Sequence, residues 1–252
     1  MKTAVIRTAL LIGLLVLVTL GVSAQGLYWE SEMTGEKTQG THLTKTWYMP
    51  GMLKINTGTD DSYVILRLDQ EKMYMVRPTN KTYSVMTFAE LEQGMKQANA
   101  QLEKMKEQMK NMPAEQRAQM EKMMGMSAGS DAKATVKKLG DTRTITGYPC
   151  TRVKIMKGND EFADLWVTRG IKGFDAMRHD LQAYSKRMAA MNPRMGEDLS
   201  QAMEKIEGFP MESTAMGMKT VVKKIEARTT SAGEFTPPAG FSQVDMKEMS
   251  GK

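Results

Sequence analysis

Between Leu27 and Met86 apolar and polar residues alternate in short runs, the period of strands with one covered face. The runs read LYWESEMTG, HLTKTWYM, MLKIN, SYVILRL, KMYMV and TYSVM. Turn formers separate them: Pro50-Gly51, residues 58–61, Asp69-Gln70 and the stretch RPTNK. Strands joined by turns this short pair as antiparallel neighbours, because a parallel crossover needs more chain. The period then becomes helical. Leu91, Met95, Ala98, Leu102, Met105, Met109 and Met112 step by 4, 3, 4, 3, 4 and 3, one continuous stripe on a helix. Lys, Glu and Gln fill the other face, with Glu103 and Lys106, and Glu107 and Lys110, spaced as helix pairs. Pro113 stops or kinks this helix and suits the first turn of a second one, in which Met120, Met123 and Met124 share a face. The stretch GMSAGSDAK reads as a connector.

The alternation returns in TVKKL, TRTIT, YPCTRVKIM and FADLWVT, with Gly140-Asp141, Gly147 and KGND as separators. A helix follows from near Phe174, its stripe being Met177, Leu181, Tyr184, Met188 and Met191. Asn192-Pro193 breaks it, Leu199, Met203 and Ile206 continue on a new segment, and Gly208 stands where a helix ends. PMESTAMG and KTVVKKIEART read as two more strands, and FTPPAGFSQV closes the chain. Strand group, broken amphipathic helix, strand group: this plan predicts an α+β fold, a mostly antiparallel sheet curved around amphipathic helices that cover one face.

The N-terminus changes the picture of where the chain works. Lys2 and Arg7 precede an apolar run over residues 8–20, and Val22-Ser23-Ala24 supplies the small residues of a cleavage site. This is the pattern of a secretory signal peptide, residues 1–24, cut after Ala24. The run is short for a membrane span, which takes about 20 residues. No Cys follows the cleavage site to carry a lipid, and no integral membrane segment is expected in the mature chain. The remaining 252 − 24 = 228 residues read as a single domain, 25–252, with a Met-rich helical insertion at about 88–126 and a second helical segment at about 174–207. Cys150 is the one cysteine, so no intrachain disulfide forms, and a periplasmic location is expected. Within a strand, Cys150 reads as a small buried side chain.

Charge excludes some classes. The net +6 falls to +4 when Lys2 and Arg7 leave with the signal. Basic residues interleave with acidic ones, without aromatic interleaving, so no nucleic-acid partner is expected. Candidate chemistry centres on the 26 Met residues. Thioethers on one helical face suit Cu(I), and Met120, Met123, Met124 and Met126 form the candidate set, with Met105, Met109 and Met112 also suitably spaced. The same residues occupy the stripe that any amphipathic helix buries, and Met makes a pliable apolar surface for a ligand. On that second reading Met105, Met109, Met112, Met120, Met123 and Met124 are ligand-binding and the metal site is void. GMSAG matches a nucleophile-elbow pattern literally but lacks the strand before it and the helix after it. Only His42 and His179 exist, His179 four residues after Asp175 as a surface pair, and no paired-His or CxxC motif appears. No catalytic residues and no cofactor are expected.

RLDQEKMYMVRPTNKTYSVM, then ITGYPCTRVKI, ADLWVTRGI, EGFPMESTAM and FTPPAGF, in that order, resemble the landmarks of an exported bacterial family, domain of unknown function 4412. That family is similar to the outer-membrane lipoprotein carrier proteins, the LolA/LolB-like group. The resemblance implies a half-barrel, an incomplete antiparallel barrel whose mouth is closed by helices over an apolar hollow that receives acyl chains in the carriers. Their early strands hold an Arg that secures the closed state; the comparable stretch here, MLKINTG, offers Lys54 instead. The expectation is a non-enzymatic periplasmic protein that binds a lipid or acyl chain between sheet and helical lid, with a lipid, lipoprotein or envelope protein as partner. The alternatives are a periplasmic copper-binding protein and a structural or stress-related envelope component without a small ligand.

Overall fold

In the computed structural model the described residues are 25–35, 40–58, 61–110, 112–113, 115–117, 133–191 and 197–249. The expected signal peptide, the GMSAG stretch and Met120, Met123, Met124 and Met126 lie outside them. Six strands follow in order: β1 (Gln25–Gly35), β2 (His42–Met49), β3 (Met52–Asn56), β4 (Tyr63–Arg67), β5 (Lys72–Arg77) and β6 (Thr82–Thr87). Helix α1 (Phe88–Lys110) leads to β7 (Ala134–Ile145), β8 (Tyr148–Lys157) and β9 (Asp160–Thr168). Helices α2 (Phe174–Met191) and α3 (Glu197–Glu204) precede β10 (Phe209–Ala215) and β11 (Met218–Thr229). A short strand β12 (Ser242–Gln243) and a single turn, α4 (Met246–Met249), end the chain.

The twelve strands of the described residues form one open sheet in the order β12-β6-β5-β4-β3-β2-β1-β11-β10-β9-β8-β7. It is an α+β fold, antiparallel throughout except where β12 runs parallel to β6. Two meanders, β1–β6 and β7–β11, are joined where the first strand of one pairs with the last strand of the other, Gln25 opposite Thr229 through Gly35 opposite Met218. Tight turns set the register within each meander. Thr146-Gly147 and Met216-Gly217 are two-residue hairpin loops with positive φ at both positions, whose twist matches that of the flanking strands. No helix of the described residues is long and apolar enough to cross a membrane.

One face of the sheet is the core face. Leu27, Tyr48, Leu53, Leu66 and Met73 follow one another across β1–β5 in register. Met177, Leu181 and Tyr184 of α2 pack onto them, as the stripe in the sequence predicts. Asp180 anchors that helix, accepting Tyr48 Oη at 2.8 Å and the Gly51 N–H at 2.7 Å. Arg187 ties α2 to Glu92 of α1 and, at 2.6 Å, to Glu71 in the β4–β5 turn. Following the register through β11 and β10 places Leu165 and Val153 on the same face, where they pack with Ala202 and Ile206 at the end of α3.

Three local expectations are corrected. Gly140-Asp141 does not separate two strands; TVKKL and TRTIT are one strand, β7, with a bulge between Lys138 and Thr142. The α3 segment turns Met203 outward, half exposed, and buries Ala202 with Ile206 instead. Gly208 does not cap the helix, which stops at Glu204; it carries φ +117° just before β10, where a Cβ would stand 2.7 Å from the Thr168 carbonyl oxygen. Only glycine lets the chain cross the end of β9 so closely.

Candidate functional site

The β7 bulge, the C-terminal end of β9 and the connector after α3 enclose a cavity of about 540 Å³. Each wall has a local cause. The bulge inserts residues 139–141 opposite a single partner on β8, which swings Leu139 out of the ladder just past the paired Lys138. β9 ends at Thr168, whose hydroxyl accepts the Gly170 N–H at 3.2 Å and turns Arg169 toward the opening. Gly208 holds the connector, Lys205 to Glu207, directly over that strand end. Leu139, Pro149, Val153, Val167 and Ile206 supply an apolar wall on the core face of the sheet.

Charge gathers at the rim. Lys138, Arg169 and Lys205 line it, against one carboxylate, Glu207. Glu207 accepts from Arg169 and stands 3.8 Å from Lys138 Nζ. Lys138 and Arg169 are mostly exposed, 65% and 74%, so this is where the cavity meets solvent. Arg152 also borders the cavity, but its guanidinium is engaged on the opposite face, by Asp164 and, at 3.2 Å, by Asp141.

That opposite face of the second meander carries a separate charged cluster. Arg143 stacks 4.0 Å from the centre of the Trp166 ring and Arg152 at 5.7 Å. Glu212 binds Arg143 at 2.6 Å and Lys219 at 3.1 Å; Lys154 binds Glu161 at 2.6 Å. The Arg152 guanidinium holds the Asp164 carboxyl below the usual carboxylate range. At Glu212 burial pushes the other way, but the bonds from Arg143 and Lys219 outweigh it and the net shift is downward. These pairs satisfy one another, which marks a structural lattice rather than a set of groups poised for proton transfer.

The residues singled out from the sequence fall as follows. On α1 Met109 is buried and Met105 half buried, while Met112, also half buried, lies past the helix, which ends at Lys110. None of the three lines the large cavity or a smaller one of about 200 Å³ beside Tyr63, Met75 and Met249. Cys150 is buried as expected; burial pushes its thiol up, and the Sγ–H donates to the Tyr148 carbonyl at 3.3 Å, the setting of an inert thiol. His179 does not pair with Asp175, which lies nearer Arg178, at 3.7 Å; His179 Nδ1 is 3.8 Å from Asp180 instead. Lys54 lies on the face away from the helices, over the Trp47 and Tyr63 rings and 3.2 Å from Glu234, so it fastens the C-terminal segment and not the helices. Among the described residues no three or more His, Cys, Asp or Glu side chains gather as a metal site. Sequence reasoning missed the cavity because Gly140-Asp141 looks like any turn; the pairing of Lys138 with Val153 and of Thr142 with Thr151 is what reveals the bulge.

Residues 96–241 match the family described as Domain of unknown function (DUF4412). The chain belongs to this family. No curated protein matches it. Among solved structures, an uncharacterized conserved protein from Thermus thermophilus aligns at 3% identity over 88% of this chain and 91% of that one, with a TM-score of 0.45, a likeness too distant to carry an argument.

Proposed function

We propose that this family member is a non-enzymatic envelope protein, exported to the periplasm, that holds an apolar ligand, a lipid or acyl chain, between a carrier-like half-barrel sheet and the helices covering it. The observation that carries the reading is the cavity of about 540 Å³ between the sheet and the connector after α3, with an apolar wall and an open, charged rim. Small-molecule sites span about 300–1,000 Å³ and combine an apolar lining with a few placed polar groups. The centre of the core face is filled by the protein's own side chains, Tyr48, Phe209 and Met211 among them, so the ligand is held at the end of the sheet and not along its length.

Mature protein purified from its native envelope and examined by native mass spectrometry tests this directly. A co-purifying lipid or fatty acyl species is expected, and Leu139→Trp, which fills the cavity from the bulge, lowers its occupancy at least tenfold with the circular dichroism unchanged. Protein that carries copper instead, or nothing, and that fails to take up added dodecanoate, overturns the reading.

A further inference from the structure

We propose that the cavity at the β7 bulge selects a single-chain amphiphile with an anionic head, its chain on the apolar wall and its head at Lys138, Arg169 and Lys205. This deepens the proposed function and rests on it. Three cations and one carboxylate at the rim leave it net positive, while the wall formed by Leu139, Val153, Val167 and Ile206 has no charge to satisfy. That is the polarity of an amphiphile seated head outward.

Glu207 shows what the seat prefers. It is the one anion among the described residues of the lining, and it is bound by Arg169 and approached by Lys138. The cations are therefore already arranged around a carboxylate. Lys205, two residues before Glu207 on the same connector, has no carboxylate partner among the described residues. A ligand anion joins Lys205 and competes with Glu207 for the other two. Arg152 takes no part, because Asp164 and Asp141 hold its guanidinium on the far face of the sheet.

The division of labour follows from exposure. The head sits among side chains that are mostly in water, where each ion pair adds little and salt screens it. The chain supplies the affinity, each buried CH₂ strengthening binding about fourfold until the wall is covered. The head then decides which chain-bearing molecules are kept.

Titration calorimetry on the mature protein with dodecanoate, dodecyl phosphate and dodecanol separates these contributions. Dodecanoate or dodecyl phosphate binds about tenfold more tightly than dodecanol at low salt. The gap narrows in roughly 0.5 M salt, where the screening length falls to a few ångströms. Combined Lys138→Gln, Arg169→Gln and Lys205→Gln closes the gap and leaves dodecanol binding unchanged. Glu207→Gln widens it about twofold by removing the internal competitor. Whichever anion binds better identifies the head as a carboxylate or a phosphate ester. Equal binding of dodecanol and both anions overturns the head-group inference while the apolar-ligand reading stands; no binding of any of the three overturns both.

Discussion

The two meanders solve the same problem in opposite ways. Each must cover a sheet face that the helices do not reach. In β1–β6 that face is apolar, with Met49, Ile65 and Val76 buried and Trp47, Tyr63, Tyr74 and Tyr83 packed around them. The C-terminal segment is laid across it: Phe235 is fully buried there, Phe241 packs beside it, and β12 adds a parallel strand to the edge at β6. Among the described residues no segment is laid across β8–β10. Arg143, Arg152, Lys154, Asp164, Trp166 and Glu212 instead cover the face with side chains that pair among themselves. One half is stabilised by burial of aromatic and aliphatic area, the other by half-exposed ion pairs and cation–π stacking. Burial is worth more per residue than exposed pairing, so the halves differ in which kind of damage they tolerate.

The largest expected effect is Phe235→Ala. Removing a fully buried phenyl ring leaves a cavity between the C-terminal segment and the sheet, at a cost of about 3–5 kcal/mol. The variant exposes Met49, Ile65 and Val76 together, so it binds a hydrophobic dye as well as unfolding at lower urea. A urea midpoint within error of the parent would mean that the segment is ornamental and that the first meander stands without it.

Trp166→Leu is the matched substitution in the second meander and is expected to cost less. It removes the ring that Arg143 and Arg152 flank, two contacts worth about 0.5–1 kcal/mol each at sites open to solvent. The guanidiniums keep Glu212, Asp164 and Asp141 as partners, which limits the damage. Urea denaturation of both variants ranks them. A larger loss for Trp166→Leu than for Phe235→Ala would reverse the contrast between the halves.

How much of this could be read from the sequence differs in the same way. The six strands of the first meander, their antiparallel pairing and the stripe Met177, Leu181 and Tyr184 were legible, because alternation and helical period are local properties. The charged lattice also left a trace: Arg152 and Lys154 alternate with Val153 and Ile155, and Asp164 with Trp166 alternates with Leu165 and Val167, so opposite charges share a parity on neighbouring strands. Pairing between β1 and β11 and the parallel β12 were not legible, since they join residues about two hundred positions apart in one case and rest on two residues in the other. The candidate cavity was hidden for a third reason. It depends on a bulge and on the positive φ of Gly208, and glycine at both places gives the same signal as an ordinary turn or helix end.

The smallest expected effect is also the most discriminating, because pH addresses the two halves separately. Asp164 and Glu212 have carboxyls held below their usual range in the fold. A depressed carboxylate contributes stability that is present above the ordinary value, about 4, and lost as the pH falls through the lower folded value. Acid therefore loosens β8–β10. In the first half the groups shifted upward by burial are tyrosines. Burial, together with the 2.5 Å bond to Glu30, pushes the Tyr28 phenol up to about 12, and burial with the bond to Asp180 pushes Tyr48 up as well. Raised phenols contribute stability that is complete below about 10 and lost as the pH climbs toward the folded value. Alkali therefore loosens β1 and β2. Among the described residues Asp69, on the β4–β5 turn, is also a depressed carboxylate; its partner is the mostly buried Arg67 that ends β4, so acid frays that turn and strand end and leaves β1 and β2 in place. Hydrogen–deuterium exchange resolved by peptide, run below pH 4 and above pH 10, reads the two halves in one experiment. Faster exchange in β8–β10 at the acid end and in β1–β2 at the alkaline end is expected; simultaneous loosening of both halves at either end would show that the joint between β1 and β11 makes them a single cooperative unit, and the contrast between burial and pairing would then be one of composition without separate stability.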